Sequence, residues 1–376
     1  MHATIIGAGI GGFTAAIALR QEGIESDIYE RAAEIRGAGA GVTLWPNAIR
    51  VLRRLGLADA IIARGQKIER ARLRTTDGRV LARSAPGEIE RTFGEPTIAI
   101  HRADLHEILF AAVPRTSLHL GHSCTSVAAS KGEVTFEDGT RVTDDLVIGA
   151  DGIHSAVRHA VRPDLTIRDS GYVAWRGVAE APELVEEGSS ESWGCGERFG
   201  IVAIDANRIY WFATANLPSG RTPSADESRS ELLRRFSSWH APVRELIERT
   251  PSDAILYNDI QDLPPHRGWS SGRTVLLGDA IHATTPNLGQ GACMAIESAL
   301  VLARSLARES ALSQALRKYE DARFPRTRWI TDQSRKFGRI AQSASPFGCA
   351  VRNAVLRIVP DAMTRRVMFR AAAFEP

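Results

Sequence analysis

The chain has 376 residues, with 47 Lys and Arg against 44 Asp and Glu and a formal net charge of +3. So small a surplus supplies no single-sign field, which argues against nucleic acid or an anionic membrane as a primary partner. With 44% hydrophobic and 24% charged residues the composition is that of a globular protein, and the length suggests roughly two domains. Cys124, Cys195, Cys293 and Cys349 lie far apart with no C-x-x-C pair, so neither a disulfide framework nor a zinc site is indicated and a reducing, cytoplasmic setting fits. The apolar start at 3–10 is broken by Gly7 and Gly9 and has no basic leader; no stretch of about 18 apolar residues offers a membrane span.

In chain order, 3–6 reads as a short strand, 7–12 as a glycine turn, 13–21 as a buried helix stopped by Gly23, and 26–29 as the next strand. That is one βαβ unit. Ala48, Ile49, Val51, Leu52 and Leu55 recur at helical spacing over 46–55. Residues 72–74 and 80–82 flank Thr76-Asp77-Gly78, a hairpin signature. A helix is predicted over 103–112, a second hairpin at Asp138-Gly139, and a buried strand at 146–148. Three stretches rich in Val, Ile, Tyr, Trp and Phe, at 172–178, 199–204 and 209–213, predict an antiparallel sheet. The polar run 219–230 reads as a surface connection, 231–249 as a helix and 274–277 as a buried strand, with helix dominant from 292 onward. The pattern predicts an α/β nucleotide domain assembled from separated pieces of chain, with the antiparallel sheet inserted between them. Residues near the start, near 150 and near 280 are expected to meet.

Gly7, Gly9 and Gly12 form G-x-G-x-x-G between a predicted strand and a predicted helix, and Glu30 closes the following strand. Glycine permits the tight turn and the approach of a pyrophosphate, the helix N-terminus favours its charge, and Glu30 is placed to accept from a ribose hydroxyl. This points to an adenine dinucleotide without separating FAD from NAD; a plain packing turn is the alternative. Asp151-Gly152 ends one buried strand, before His154, Ser155 and Arg158, and Gly278-Asp279 ends another, before Pro286 and Gly289-Gln290-Gly291. Strand carboxyl ends gather at the ligand crevice, where an Asp can bind ribose-like hydroxyls. Taken alone, each segment reads better as a solvated turn.

The three motifs in this order resemble the class A FAD-dependent aromatic monooxygenases over nearly the whole chain. Arg102 in His101-Arg102-Ala103-Asp104-Leu105 matches that family's Arg-x-x-Leu, and 40–47 resembles its loop over the flavin, with Val42 and Thr43 as contacts. The resemblance implies an α/β fold: a Rossmann-like FAD-binding domain of the glutathione-reductase type, an inserted antiparallel-sheet substrate domain, and C-terminal helices. It divides the chain into 1–70, 101–168 and 266–330 for FAD, 71–100 and 169–265 for the substrate, and 331–376 for the tail. It places Asp279 on the ribityl chain, Asp151 near the pyrophosphate and a passing NAD(P)H, and the backbone of 289–291 at the isoalloxazine edge. There the following helix N-terminus would stabilise the reduced flavin. Arg31, Cys124, Gly152 and Pro286 join the same cofactor set. The implied reaction uses NADH or NADPH, the choice open for want of a second glycine fingerprint. Dioxygen then forms a flavin hydroperoxide, which attacks an aromatic or heteroaromatic small molecule.

Gly194-Cys195-Gly196-Glu197-Arg198, followed by Arg208-Ile209-Tyr210, resembles FAD-dependent urate hydroxylases. That implies substrate contacts from Arg198 and Tyr210, with Arg176 and Phe212 also assigned to the pocket. Ala174 and Arg176 stand where those enzymes have asparagines, and Phe199 where hydroxypyridine-type hydroxylases carry a histidine base. No catalytic base is assigned; a substrate that ionises unaided, or an epoxidation, needs none. Alternation puts Tyr172, Ala174 and Arg176 on one strand face and Tyr210 and Phe212 on one face of theirs, with the flavin-side face undetermined. Trp175, Trp211 and Phe212 read equally well as sheet core. An arginine buried at 198 requires an anion or carbonyl partner. His282 is expected to serve structure, and no metal spacing occurs. The tail, rich in arginine and in Val351, Val355 and Ile358 and interrupted by Pro360, is expected to pack on the domain, a membrane-lying helix being the alternative. Competing functions are a flavin epoxidase or antibiotic-modifying hydroxylase and, of another class, a flavin protein that sequesters a ligand or reduces it without inserting oxygen.

Overall fold

Strands apolar on both faces must be covered on both, and the buried runs of the sequence lie side by side in one parallel sheet. The computed structural model describes residues 1–35, 40–185, 188–358 and 361–375. His2–Ile6 pairs in parallel with Glu25–Glu30 on one side and Leu146–Gly149 on the other, and Thr274–Leu276 follows Leu146–Gly149. Leu118–Leu120 extends one edge and the short Ser270–Ser271 closes the other, antiparallel. Ile5, Ile148 and Val275 are in register, so the turns beginning at Gly7, Ala150 and Leu277 emerge together at the strands' carboxyl ends. Helices Ile10–Gln21 and Gly291–Arg308 pack on each other over this sheet.

The second sheet has seven strands, in the order Leu256–Asp262, Arg168–Glu180, Arg208–Ala215, Glu197–Ala203, Ser189–Trp193, Ala71–Thr75 and Val80–Ser84. It is antiparallel apart from the parallel pairing of Ser189–Trp193 with Ala71–Thr75. One face is buried under helices Ala225–Phe236 and Val243–Arg249, where Trp175, Phe199 and Trp211 pack with Leu232, Phe236 and Leu246. Phe199 stacks on Trp211 at 5.5 Å, and the Trp211 indole donates to Thr250 Oγ1 at 2.8 Å. The aromatic run is core on this side, and the other face is left to meet the nucleotide half.

Several boundaries differ from the sequence reading. The helix expected over 231–249 is two helices: the first ends at Phe236, and Pro242 is the N-cap of the second, Val243–Arg249. The first of them starts inside the supposed connection 219–230, at a capping box in which Ser224 and Glu227 satisfy each other's backbone N–H groups. The boundary expected at 330 falls inside the single helix Leu312–Ala341. In 71–100 the hairpin joins the seven-stranded sheet, but Ile98–His101 pairs instead with Gly41–Leu44 beside the nucleotide cleft. Strands Ser189–Trp193 and Leu256–Asp262 had no sequence counterpart.

The tail forms helices Pro346–Ile358 and Asp361–Ala372; Pro360 lies outside the described residues. The last carbonyls are gripped by the nucleotide half. Arg326 donates to Arg370 O at 3.2 Å and Ala371 O at 2.6 Å, and Arg50 donates to Ala372 O at 2.7 Å. Phe374 sits against the guanidinium groups of Arg323 and Arg326.

Candidate functional site

The glycine turn is dictated by sterics at two positions and open at the third. A Cβ on Gly12 would lie 1.9 Å from Gly7 O, and one on Gly7, which has φ +105°, would lie 2.6 Å from Ala150 O. Gly9, the N-cap of Ile10–Gln21, has nothing within 4 Å of such a Cβ. The helix's first N–H groups therefore open onto free space, the arrangement that receives a phosphate. Glu30 braces the turn: its carboxylate accepts from Ala8 N–H at 2.8 Å and from Ala32 N–H at 3.0 Å. Arg31 beside it is exposed.

Asp151 accepts from Ser155 Oγ at 2.5 Å and from Val157 N–H at 3.2 Å. Its carboxylate thus caps the helix Ala156–Val161, and Gly152 makes the turn at φ +82°. Burial pushes the Asp151 carboxyl up, and burial together with Asp151 pushes the Cys124 thiol up to about 12. Cys124 therefore stays a thiol at neutral pH.

Asp279 is different. It lies deep in the body of the protein, which raises its pKa by desolvation, and yet its surface is open: the residue faces an internal cleft. Among the described residues nothing donates a hydrogen bond to its carboxylate, and the charge that offsets the desolvation is Arg102. Arg102 opens the helix Arg102–Ala111, with its backbone N–H on Ala40 O at 2.8 Å and an exposed side chain. Val42 and Thr43 lie on the strand beside it. Across the cleft, Pro286–Leu288 forms a single turn and Gly289 adopts φ +61°, exposing its backbone, before helix Gly291–Arg308 begins.

The Gln290 side chain turns the other way. It is wholly buried and accepts from Asn47 Nδ2 at 3.0 Å. Asn47 also donates to Glu297 at 2.6 Å, and Glu297 binds Arg323 at 2.6 Å and Arg326 at 2.7 Å, with Arg323 and Glu297 fully buried. This charged cluster anchors the platform behind the cleft. His282 belongs to the same layer: burial and Arg323 pull its pKa down to about 3, and its Nε2 pairs with Ser298 Oγ at 3.0 Å. In this layer it is held by Ser298.

The sheet face opposite its helices decides which residues meet the cleft. Registers place Ala174, Thr214 and Arg198 in one cross-strand row and Arg176, Phe212 and Gly200 in the next, with Val178, Tyr210 and Val202 beyond. A Cβ on Gly41 would lie 2.4 Å from the Tyr210 ring, and one on Gly200 would lie 2.1 Å from the Phe212 ring. Tyr210 therefore rests on the strand that carries Val42 and Thr43, and Phe212 covers its neighbour strand. Burial raises the Tyr210 hydroxyl's pKa against the opposing pull of Arg176, whose Nη1 donates to Asn258 Oδ1 at 2.8 Å.

On that face Arg198 and Tyr210 lie apart: four positions of strand, roughly 13 Å, separate their rows. Arg198, expected to touch the substrate, is 2% exposed and already paired within the chain. It binds Glu191 at 3.2 Å and donates to Gln342 Oε1 at 2.7 Å and Asn287 Oδ1 at 2.9 Å. Asn287 also donates to the Tyr172 hydroxyl at 3.0 Å. Arg198 thereby ties the sheet to the turn before Gly289, and the partner it requires is its own Glu191. Phe199 points to the helix-covered core, so its side chain stands away from the cleft. Asn287, Glu191, Gln342 and Asn258 were missed, since no local motif marks them.

A family model described as an FAD binding domain matches residues 1–334. The chain belongs to the FAD-binding monooxygenase family. It is 42% identical over 369 residues to aurachin C monooxygenase/isomerase of Stigmatella aurantiaca, covering 96% of each chain. It is 35% identical over 376 residues to 2-heptyl-3-hydroxy-4(1H)-quinolone synthase of Pseudomonas aeruginosa, covering 98% of this chain and 96% of that one. The structure of Klebsiella pneumoniae HpxO complexed with FAD and uric acid matches with a TM-score of 0.92 at 32% identity, covering 99% of this chain and 96% of that one.

This FAD-binding monooxygenase is a flavoenzyme, and the cleft fits its cofactor. The glycine turn opens a helix N-terminus to a diphosphate, Asp279 offers an unpaired acceptor to polyol hydroxyls, and the exposed Gly289 backbone leaves room for a flat ring system.

Proposed function

We propose that this enzyme, drawing electrons from NAD(P)H in the cytoplasm, adds one oxygen atom from dioxygen to a fused-ring nitrogen heteroaromatic that carries a ring oxygen, of the 4-quinolone type. The observation that carries this reading is the unlike state of two arginines on the cleft-facing sheet. Arg198 is neutralised by Glu191, whereas Arg176 has the neutral Asn258 and, among the described residues, no carboxylate partner. Arg176 is therefore the cation left to a ligand, with Tyr210 and Phe212 as an aromatic wall beside it.

A ring carbonyl or its enolate accepts from Arg176 while the flat rings lie along Tyr210 and Phe212. Charge held on that oxygen enriches the neighbouring ring carbon in electrons, which is what an electrophilic oxygen donor requires. Such a substrate supplies its own ionisation, and no side-chain base is needed. Bound FAD, once reduced, supplies the activation of dioxygen. Asp279, Arg102 and the backbone at Gly289 hold and orient that cofactor, and the sheet closes the cleft against water. A quinolone in the name of one relative and uric acid bound to another support the reading, because both are fused nitrogen rings bearing ring oxygens.

The test uses the purified holoenzyme with NADH or NADPH and a panel of 2-alkyl-4-quinolones, uric acid and 4-hydroxybenzoate under labelled dioxygen. Quinolones are expected to accelerate NAD(P)H consumption and to yield a product carrying one labelled atom. An unlabelled product, or turnover confined to the single-ring phenol, overturns the proposal.

A further inference from the structure

Outside the cleft, the helix Pro346–Ile358 presents a face that the fold leaves uncovered. Its inner side is Cys349 and Arg352. Arg352 donates to Ala341 O at 3.0 Å and Gly194 O at 2.8 Å, and its guanidinium lies 5.1 Å from the centre of the Trp193 ring. The outer side carries Phe347, Val351, Val355 and Ile358 at helical spacing, which places them in one stripe. They are 80%, 46%, 49% and 80% exposed, and Ala350 and Ala354 between them are exposed as well. Ile340, at the end of the preceding helix, is also exposed. Among the described residues, Met1 is the one other exposed large hydrophobic.

Single exposed apolar residues are ordinary, but a contiguous stripe marks an interaction surface. The surrounding charge selects its occupant. From 333 to 360 the sequence contains no Asp or Glu, whereas Lys336, Arg339 and Arg357 are exposed. A second copy docked about a two-fold axis would set this acid-free strip against itself, cation against cation. An anionic lipid surface supplies the opposite charge. The nearly balanced charge of the whole chain does not cancel this local excess, because screening over about 10 Å confines each charge to its own neighbourhood.

We propose that the helix Pro346–Ile358 lies in the headgroup region of an anionic phospholipid membrane, its Phe347, Val351, Val355 and Ile358 side chains at the acyl boundary and Arg339 and Arg357 among the phosphates. The attachment is peripheral, since no helix among the described residues is long and apolar enough to cross a bilayer. Gln342, in the turn before this helix, binds Arg198, so the docked segment is continuous with the polar network on the substrate side of the cleft. The inference is independent of which ring the enzyme oxidises.

The holoenzyme is mixed with vesicles of phosphatidylcholine alone or with about a third phosphatidylglycerol, and bound protein is separated by flotation. Binding to the anionic vesicles, weakened by salt, is expected. Phe347→Asp/Ile358→Asp is expected to bind roughly tenfold more weakly while keeping its FAD and its NAD(P)H oxidation rate, both changes being on exposed positions. Three results overturn the proposal: no binding to anionic vesicles at low salt; equal binding by the double variant; or a wild-type dimer that the double variant converts to monomer, which assigns the stripe to a second copy.

Discussion

The two sides of the cleft are built under different kinds of constraint. On the nucleotide side the decisive contacts involve backbone: Gly12 against Gly7 O, Gly7 against Ala150 O, and Glu30 on the Ala8 N–H. On the sheet side they run between side chains far apart in sequence, as Arg198 does with Glu191, Asn287 and Gln342. A backbone constraint is nearly all-or-none, while a side-chain network can be retuned a member at a time. One side is suited to a fixed cofactor and the other to a substrate that varies between relatives.

That contrast can be broken or sharpened experimentally. Glu297→Ala leaves the buried Arg323 without its counter-ion and is expected to cost about 3–5 kcal/mol, read as a lowered urea midpoint together with FAD loss. Gly12→Ala should follow at about 3 kcal/mol, because the atom it meets is backbone and cannot swing away. Retention of wild-type stability in that variant would remove the steric argument. Asp279→Ala takes away the unpaired acceptor, and FAD affinity should fall by roughly 1–3 kcal/mol, measured by titrating the apoprotein, with the fold intact.

A pH series tests the same layer. His282 takes a proton in the folded state only below about 3, against the ordinary 6.5. Between these values the unfolded chain binds the extra proton, so stability is present above 6.5 and lost as pH falls, by about 1.4 kcal/mol per pH unit. Urea midpoints from pH 7 to 4 should show that slope flattened in His282→Asn. On the sheet side the smallest effect is expected. Glu191→Gln uncovers the charge of Arg198, and carboxylated aromatics should bind a few-fold better, about 1 kcal/mol, with FAD content unchanged. A Glu191→Gln protein that loses FAD would show that the two sides are not separable.

The same contrast explains what could be read from sequence. The glycine turn, Asp151-Gly152 and Gly278-Asp279 were legible because each is a short, contiguous demand on the backbone at a strand end. The alternation that separates Trp175 and Trp211 from Arg176 and Tyr210 was legible too, though not which face met the cleft, since that depends on where two later helices land. Arg198 was correctly expected to need a partner, but Glu191 and Asn287 reach it only through the fold. The Ser-Ser-Glu-Ser-Trp strand at 189–193 has little strand propensity of its own and is fixed by its neighbours. The Ser224–Glu227 capping box is present in the sequence but sits within a polar run that reads as a connection.

The grip of Arg50 and Arg326 on the carbonyls at 370–372 has a temporal consequence. Synthesis proceeds from the amino end, and the glycine turn is made long before residues 370–374. Its helical layer acquires the Phe374 contact only once residues 370–374 have been made, so the glycine turn waits for a segment more than 350 residues further along before this layer is complete.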